Sequence, residues 1–326
     1  MTHRARRAAG AGLALAFALL NILAYAHARA MTRFTGAGTR TPRPEALTWG
    51  EKARVLFTGA TIPKPRDAAT PAALGLAWET RHFPGAFGLA LEAWHVPRPA
   101  PKGVVVLVHG YADSKGALLP EAHAFHALGY SVLLVDCYGS GGSAGHDTSI
   151  GWHEAKDVAA ALREARPLPG GECLVLFGAS MGAAAALKAI AEEGVAPEAL
   201  IVEAPFDRLL TTVEHRFSAL GLPPFPLTRV LLFWGGVQQG FNPFRHNPVE
   251  YAEGAHLPVL FLHGERDERV WLSEARAVFD RLPGKKELVV VPNARHGSLL
   301  KQAPEAWSRA VREFLARSCA NGKMGP

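Results

Sequence analysis

The chain has 326 residues, of which 48% are hydrophobic, and its formal net charge is +6. This apolar fraction is sufficient for a large core, and a chain of this length can form one α/β domain. The positive charge lies in residues 1–66, where a net charge of +9 leaves −3 for the rest of the chain. The body therefore has no overall basic character, and we expect no nucleic-acid partner.

The amino-terminal segment combines a basic flank with a long apolar run. Arg4, Arg6 and Arg7 precede an uncharged, mostly apolar run from Ala8 to Ala26. The run exceeds the ~7 to 15 residues of a signal-peptide core and approaches the ~20 needed to span a bilayer. Residues 1–30 are therefore predicted to be a signal anchor, with a cleaved signal peptide as the alternative. Because the basic residues come first, the body is predicted on the non-cytoplasmic side, or secreted or periplasmic after cleavage.

Residues 31–72 are rich in Thr, Pro, Gly and Arg. This composition is typical of a linker, which would space the body from the membrane. Within the linker, one short helix is predicted around Pro44–Leu56.

The cysteines are three in number, Cys137, Cys173 and Cys319. They are too few for a disulfide framework, and their spacing indicates no metal site. Cys173 opens an apolar strand and is interpreted as a core residue. Cysteine usage therefore leaves the redox compartment open.

The body begins with a hairpin pattern and continues with alternating strands and helices. Two alternating runs, residues 75–83 and 87–96, flank Pro84-Gly85-Ala86 and predict a β-hairpin. Residues 104–108 form a continuous apolar run, which is typical of a strand buried on both faces of a parallel sheet. Strand and helix patterns then alternate, so we predict an α/β fold with a doubly wound, mostly parallel sheet of about eight strands.

The stretch Glu172–Ala186 carries the most informative motif. A short strand pattern ends in Gly178-Ala179-Ser180-Met181-Gly182, and an alanine-rich helical pattern follows. A G-x-S-x-G turn holds its serine in a strained conformation and projects the hydroxyl, and glycines two residues to either side avoid clashes. Ser180 is therefore predicted to be a nucleophile, and the backbone N–H of Met181 to be one donor of an oxyanion hole.

Residues 207–254 interrupt the alternation with an insertion rich in aromatic residues, leucines and prolines. Two interpretations remain open. The insertion is a small cap whose apolar side chains line an acyl pocket over Ser180, or it only buries its own aromatic side chains against the body.

Other polar groups follow further strands at their carboxyl ends, where sites collect in such a sheet. Tyr111 lies in the loop after residues 104–108, and its backbone N–H is the second predicted oxyanion donor. His109, in the same loop, is interpreted as structural. Asp267 and His296 each follow a later strand. A histidine can take the proton of a serine while an acid fixes its tautomer, so these two residues are predicted as acid and base.

Three other acids compete with Asp267 for this role. Asp207 follows the strand pattern at residues 199–203, and Glu265 and Glu268 flank Asp267. Placement and chain order favour Asp267. Asp113 and Asp136 are interpreted as turn residues that bond their own loops.

In the order of these motifs the chain resembles the α/β-hydrolase superfamily, in particular its membrane-tethered Bem46-like and serine-aminopeptidase-like (lysophospholipase-like) branches. The resemblance covers about residues 75–317. It implies Ser180 as nucleophile, Asp267 as acid, His296 as base, and the backbones of Tyr111 and Met181 as oxyanion donors. One departure is that Cys137 follows Asp136, where many relatives carry arginine.

The resemblance also implies an activity and a domain organisation. The activity is hydrolysis of carboxylic esters, lipid-like acyl esters included, through an acyl-serine intermediate, with no metal or organic cofactor. Thioester or peptide hydrolysis, acyl transfer and a catalytically silent membrane-tethered binding protein remain alternatives. The predicted partners are a small-molecule acyl substrate and, through the amino-terminal segment, a membrane. The hydrolase domain is predicted at residues 73–318, with the cap at 207–254 and a tail at 319–326.

Overall fold

The computed structural model describes residues 3–42 and 46–319, and its centre is one eight-stranded sheet. The sheet order is β1-β2-β4-β3-β5-β6-β7-β8. The β1–β2 hairpin and the β2–β4 pair are antiparallel, and all other neighbours are parallel. The predicted α/β fold with a mostly parallel sheet is therefore confirmed. The strands are β1 (Glu79–Pro84), β2 (Ala90–Val96), β3 (Val104–Val108), β4 (Ser131–Val135), β5 (Leu174–Ala179), β6 (Ala199–Glu203), β7 (Val259–Gly264) and β8 (Lys286–Val291).

Helices cover both faces of this sheet. Helices α4, α5, α8 and α9 pack on one face, and α3 and α11 pack on the other. Helices α6 and α7 lie in the cap insertion. The helices are α1 (His3–Thr32), α2 (Trp49–Thr58), α3 (Leu119–Ala127), α4 (Glu154–Ala165), α5 (Met181–Glu192), α6 (Leu209–Ala219), α7 (Leu227–Gln239), α8 (Pro248–Tyr251), α9 (Leu272–Arg281), α10 (Leu299–Gln302) and α11 (Pro304–Ser318).

Strand β3 shows why the sheet is stable and why its strands read as continuous apolar runs. Val104 and Val106 point to the face of α4 and α5, whereas Val105 and Leu107 point to the face of α3 and α11. All five residues of β3 are fully buried. Each buried aliphatic side chain contributes about 1.5–3 kcal/mol relative to an exposed one. Because the strand is covered on both sides, neither face needs polar residues.

The amino-terminal helix α1 has a free half and a packed half. Residues Ala9–Thr32 are long and apolar enough to cross a membrane by length and composition. Leu13 and Phe17 are exposed, whereas Ala24 and Ala28 are buried against the body. The packed half of α1 lies mainly on the cap helix α7.

The described parts of the predicted linker, residues 31–42 and 46–72, make specific contacts with the body, which its composition does not indicate. Phe34 is buried, and its N–H donates to the carbonyl of His146. Lys64 Nζ donates to the carbonyls of Ser143 and Gly145. The composition of the segment reports its turn propensity but not these tertiary contacts. The predicted helix is observed as α2, which begins at Trp49, and Pro44 lies outside the described residues.

Cys173 is a buried core residue, as interpreted from the sequence, but it is also paired with a second cysteine, which the sequence did not predict. Cys173 forms a disulfide with Cys319, whose Cα lies 5.9 Å away although 146 residues separate the two in sequence. The bond ties the end of α11 to the start of β5. Among the described residues, Cys137 is a free and buried cysteine. The rest of the predicted tail, residues 320–326, lies outside the described residues.

Candidate active site

Ser180 lies on the sharp turn between β5 and α5, with a backbone φ of +51°. A Cβ at Gly178 would lie 2.5 Å from the carbonyl oxygen of Gly182, and a Cβ at Gly182 would lie 2.4 Å from that of Val108. Neither position has room for a side chain, as the motif predicts. The Ser180 N–H donates to the carbonyl of Glu203 at 2.7 Å, which ties the strained residue to the neighbouring strand β6.

A chain of hydrogen bonds runs from Ser180 to Asp267. His296 Nε2 lies 3.1 Å from Ser180 Oγ, and His296 Nδ1 lies 2.7 Å from Asp267 Oδ2. Asp267 Oδ1 accepts the N–H groups of Arg269 and Val270 at 2.8 and 2.9 Å. Burial opposes ionisation of Asp267, but the hydrogen bonds from His296 and from these two N–H groups outweigh it and lower the Asp267 pKa. The carboxyl is therefore held ionised beside the imidazole.

The competing acids have other partners. Asp207 binds the backbone N–H and the guanidinium of Arg208. Glu265 accepts the N–H of Asn293. Glu268 lies 3.5 Å from the backbone N–H of His296, not from its ring. Of the four acids that the sequence offers, Asp267 is the one that meets the imidazole of His296.

The loop after β3 lies beside Ser180. A Cβ at Gly110 would lie 3.7 Å from Ser180 Cβ. Over residues 3–42 and 46–319, the backbone N–H groups of Tyr111 and Met181 have no hydrogen-bond acceptor in the protein. Both N–H groups are thus free to bind an oxyanion. His109 bonds the carbonyl of Gly110 through Nδ1 and accepts the N–H of Cys137 at Nε2, which fits its structural interpretation.

A cavity of about 720 Å³ opens onto Ser180 and His296. The cap contributes Phe217 and Leu231 to its wall, and α1 contributes Leu20. Other cap aromatics are packed away from it, since Phe241 stacks on Trp152 at a centroid distance of 5.0 Å. The cap therefore lines the cavity and also buries some of its own aromatic side chains, and an acyl group as occupant of the cavity stays a prediction. That α1 reaches the cavity could not be predicted from its residues, because an apolar run has the same pattern in lipid and against protein.

Lys115 forms a buried ion cluster beside the Tyr111 loop that sequence reasoning missed. Its Nζ lies 2.6 Å from Asp67 and 2.8 Å from Glu92, and it also contacts Asp136. Asp136 does bond its own loop through the N–H of Gly142, so its interpretation as a turn residue is incomplete rather than wrong. The ammonium fills the space between the three carboxylates. No spacing in the sequence predicts a cluster whose members come from four separate segments.

The buried carboxyl of Glu203 predicts that the stability of the folded protein depends on pH. Burial, with the nearby Glu121 charge, raises its pKa from 4.5 to about 8, against the opposing hydrogen bonds from Leu299 N–H and the Trp307 indole. The folded state therefore keeps a proton that the unfolded state loses, so stability falls as pH rises between these values. We expect Glu203→Gln to be less stable than wild type at pH 5, because one acceptor is lost, but to lose less stability between pH 5 and pH 9.

Thermal unfolding of both proteins at the two pH values measures this difference. Exposed Glu253, replaced by Gln, is the matched control and is expected to follow wild type. An equal loss of stability in wild type and Glu203→Gln would contradict the assignment.

Comparisons with known proteins agree with this fold. Residues 99–227 match the family model described as "Serine aminopeptidase, S33", and residues 244–325 match the one described as "PhoPQ-activated pathogenicity-related protein". Protein Rv2307c of Mycobacterium tuberculosis is 28% identical over 84% of this chain and 91% of its own length. Protein bem46 of Schizosaccharomyces pombe is 25% identical over 68% of this chain and 70% of its own.

Two further similarities concern proteins whose names state an activity. The lysophosphatidylserine lipase ABHD12 of Danio rerio is 26% identical over 57% of this chain and 48% of its own length. The Pyrococcus furiosus esterase Pf2001 superposes with a TM-score of 0.68 and 24% identity, covering 79% of this chain and 97% of the esterase. At this identity the structural similarity shows a common fold.

Proposed function

We propose, from the premise that this chain is an α/β-hydrolase of the Bem46-like kind, that it is a serine hydrolase that cleaves carboxylic esters. The observation that carries the proposal is the unbroken hydrogen-bond chain from Asp267 through His296 to Ser180, at a cavity that a substrate can enter. The transfer of the Ser180 proton to His296 needs no further group along this chain of hydrogen bonds.

The reaction then has two halves. His296 Nε2 takes the Ser180 proton while Oγ attacks the ester carbonyl, and the N–H groups of Tyr111 and Met181 bind the oxyanion. His296 next gives its proton to the leaving alcohol, so an acyl-serine remains. In the second half, His296 Nε2 takes a proton from water as the water oxygen attacks the acyl carbon. His296 then gives that proton to Ser180 Oγ as the bond between Oγ and the acyl carbon breaks, so the acid is released and Ser180 is regenerated. Asp267 holds the imidazole in the productive tautomer and stabilises its charged form throughout.

The cavity favours acyl groups with an apolar chain. Leu20, Phe217 and Leu231 lie in its wall, and its volume is within the range of sites for drug-sized ligands. One relative is named a lysophosphatidylserine lipase, and this name states activity on a lipid ester. The similarity supports lipid-like esters as substrates of this chain as well.

We further propose that α1 anchors the chain in a membrane, with the catalytic body on the non-cytoplasmic side. The basic residues precede the apolar run, which supports this orientation. The disulfide between Cys173 and Cys319 gives independent support, because such bonds persist mainly in oxidising compartments.

Labelling with a fluorophosphonate probe tests the proposed nucleophile. Wild type is expected to react and Ser180→Ala is expected not to, because the probe phosphonylates an activated serine. A series of p-nitrophenyl esters of increasing chain length, with matched thioesters and peptides, then gives the preferred bond. A folded wild type that is not labelled would refute the proposal and favour the catalytically silent binding protein.

A further inference from the structure

The cap is attached to the apolar helix α1 at residues that belong to its span. Trp234 Nε1 donates to Asn21 Oδ1 at 3.0 Å, and Gln238 Nε2 donates to the carbonyl of Tyr25 at 2.9 Å. The rings of Tyr25 and Trp234 pack edge to face, with centroids 5.5 Å apart. Helix α7 is thus held to the second half of α1 by several specific contacts.

The length of α1 sets the depth of these contacts. A hydrocarbon core of about 30 Å needs about 20 helical residues at 1.5 Å each. Residues Ala9–Ala28 supply that number, and Arg29 is the first Lys or Arg after Arg7. The free part from Ala9 to Leu19 covers only about 16 Å. A spanning α1 therefore places the residues that bind α7 inside the hydrocarbon, with Asn21 about 12 Å along the helix from Arg29.

Part of the outer surface of α7 is apolar, as such a depth requires. Phe233 and Val237, one helical turn apart, are 53% and 56% exposed, and Ile22 of α1 is 64% exposed. Among the polar groups at this level, Asn21 is hydrogen-bonded on both sides, since its Nδ2 donates to the carbonyl of Phe17 while its Oδ1 accepts from Trp234. Polar groups in hydrocarbon need internal partners, whereas exposed aromatic and aliphatic side chains do not. We call the surface formed by Ile22, Phe233 and Val237 the lipid face.

The active-site cavity shares its wall with this region. Leu20, Leu23 and Ala24 of α1 line the cavity that contains Ser180, and Leu227 and Leu231 of α7 line it as well. The same two helices therefore carry the lipid face outside and the cavity wall inside. The side chains that these helices present to the cavity and those that they present on the lipid face are both mainly apolar.

We propose that the lipid face sits in the outer leaflet of the bilayer and that an amphiphilic ester enters the cavity directly from the membrane, without passing through water. The entry route rests on the proposed ester hydrolysis, whereas the position of the lipid face does not. The occupant of this surface is the bilayer, because the surface continues the apolar span of α1.

Two measurements on the full chain in phosphatidylcholine vesicles test the proposal. The first compares wild type with the double variant Phe233→Asp and Val237→Asp, on membrane-held p-nitrophenyl palmitate and on water-soluble p-nitrophenyl acetate. Two carboxylates oppose insertion of the lipid face into hydrocarbon. Hydrolysis of the palmitate is therefore expected to fall about tenfold, while hydrolysis of the acetate is unchanged. Leu74→Asp, an exposed leucine outside the lipid face, is the matched control.

The second measurement places a fluorophore on Val237→Cys and adds lipids that carry a quenching doxyl group. Quenching at residue 237, with none at Leu74→Cys, is expected. An absence of quenching at residue 237 would overturn the proposal. A doubled molecular mass would then show that a second copy of the chain, and not the bilayer, covers the lipid face. Equal hydrolysis of the palmitate by wild type and the double variant would overturn the entry route. Quenching of the labelled Val237→Cys protein, together with a wild type that hydrolyses neither ester, would support the lipid face and refute the proposed function.

Discussion

Replacing Asp267 by asparagine is expected to lower kcat about 10,000-fold without unfolding the protein. Asp267 Oδ1 accepts two backbone N–H groups, so the amide oxygen of an asparagine would take that place and its NH₂ would face His296 Nδ1. The imidazole would then carry its proton on Nε2. In that tautomer it cannot accept the proton of Ser180. Steady-state hydrolysis of a p-nitrophenyl ester measures the loss.

Asp207→Asn is the matched control for this substitution. Asp207 is also buried and also follows a strand, but it bonds Arg208 and not His296. Its replacement is expected to leave kcat within about threefold of wild type, since no reacting group loses a partner. A large loss of kcat in Asp207→Asn with little loss in Asp267→Asn would show that Asp207, which follows β6, is the catalytic acid.

Replacing Lys115 by methionine is expected to cost about 3 kcal/mol of folding free energy. The ammonium is fully buried, and the carboxylate of Asp136 beside it is fully buried as well. Burial disfavours the charged lysine, but the carboxylates of Asp136, Asp67 and Glu92 outweigh it and raise the Lys115 pKa. Methionine preserves much of the side-chain volume but leaves these carboxylates without a counter-charge. Thermal unfolding of both proteins in the same detergent gives the difference.

Lys64→Met serves as the control for charge removal alone. Within residues 3–42 and 46–319, the hydrogen bonds of Lys64 Nζ go to the carbonyl groups of Ser143 and Gly145, so its loss is expected to cost about 1 kcal/mol. Adding Asp136→Asn to Lys115→Met is expected to restore part of the stability, because it removes one unpaired buried charge. A Lys115→Met protein as stable as wild type would show that the cluster does not depend on its cation.

The sheet was predictable from sequence because its signals are local. Buried strands such as Val104–Val108 are short continuous apolar runs, and the turn at Ser180 needs glycines at fixed positions. The parallel order of the strands then brings their carboxyl ends together. For this reason the loops that carry Ser180, Asp267 and His296 could be expected to meet, and the structure brings these side chains within hydrogen-bonding distance. Their catalytic roles stay predictions until the variants are measured.

The features that sequence reasoning missed all depend on contacts between distant segments. Cys173 and Cys319 approach only because α11 packs across the sheet. Lys115 meets carboxylates from Asp67, Glu92 and Asp136, none of which is near it in sequence. The packing of residues 31–42 and 46–72 has the same origin. A composition rich in proline and glycine predicts irregular backbone, and it does not say whether that backbone is free or packed.

The contacts of α1 also bear on how this protein can be prepared for study. The Met31 carbonyl accepts the hydroxyl of Tyr111 at 2.6 Å, and Leu20 and Leu23 close one side of the cavity. A water-soluble fragment that starts after residue 32 would lack this wall and expose the side of α7 that Ala28 covers. Under the proposed ester hydrolysis, such a fragment would select its substrates through an open cleft and not through this cavity. Substrate profiles of this protein therefore require the complete chain in detergent or lipid, and those of a trimmed fragment would describe a different pocket.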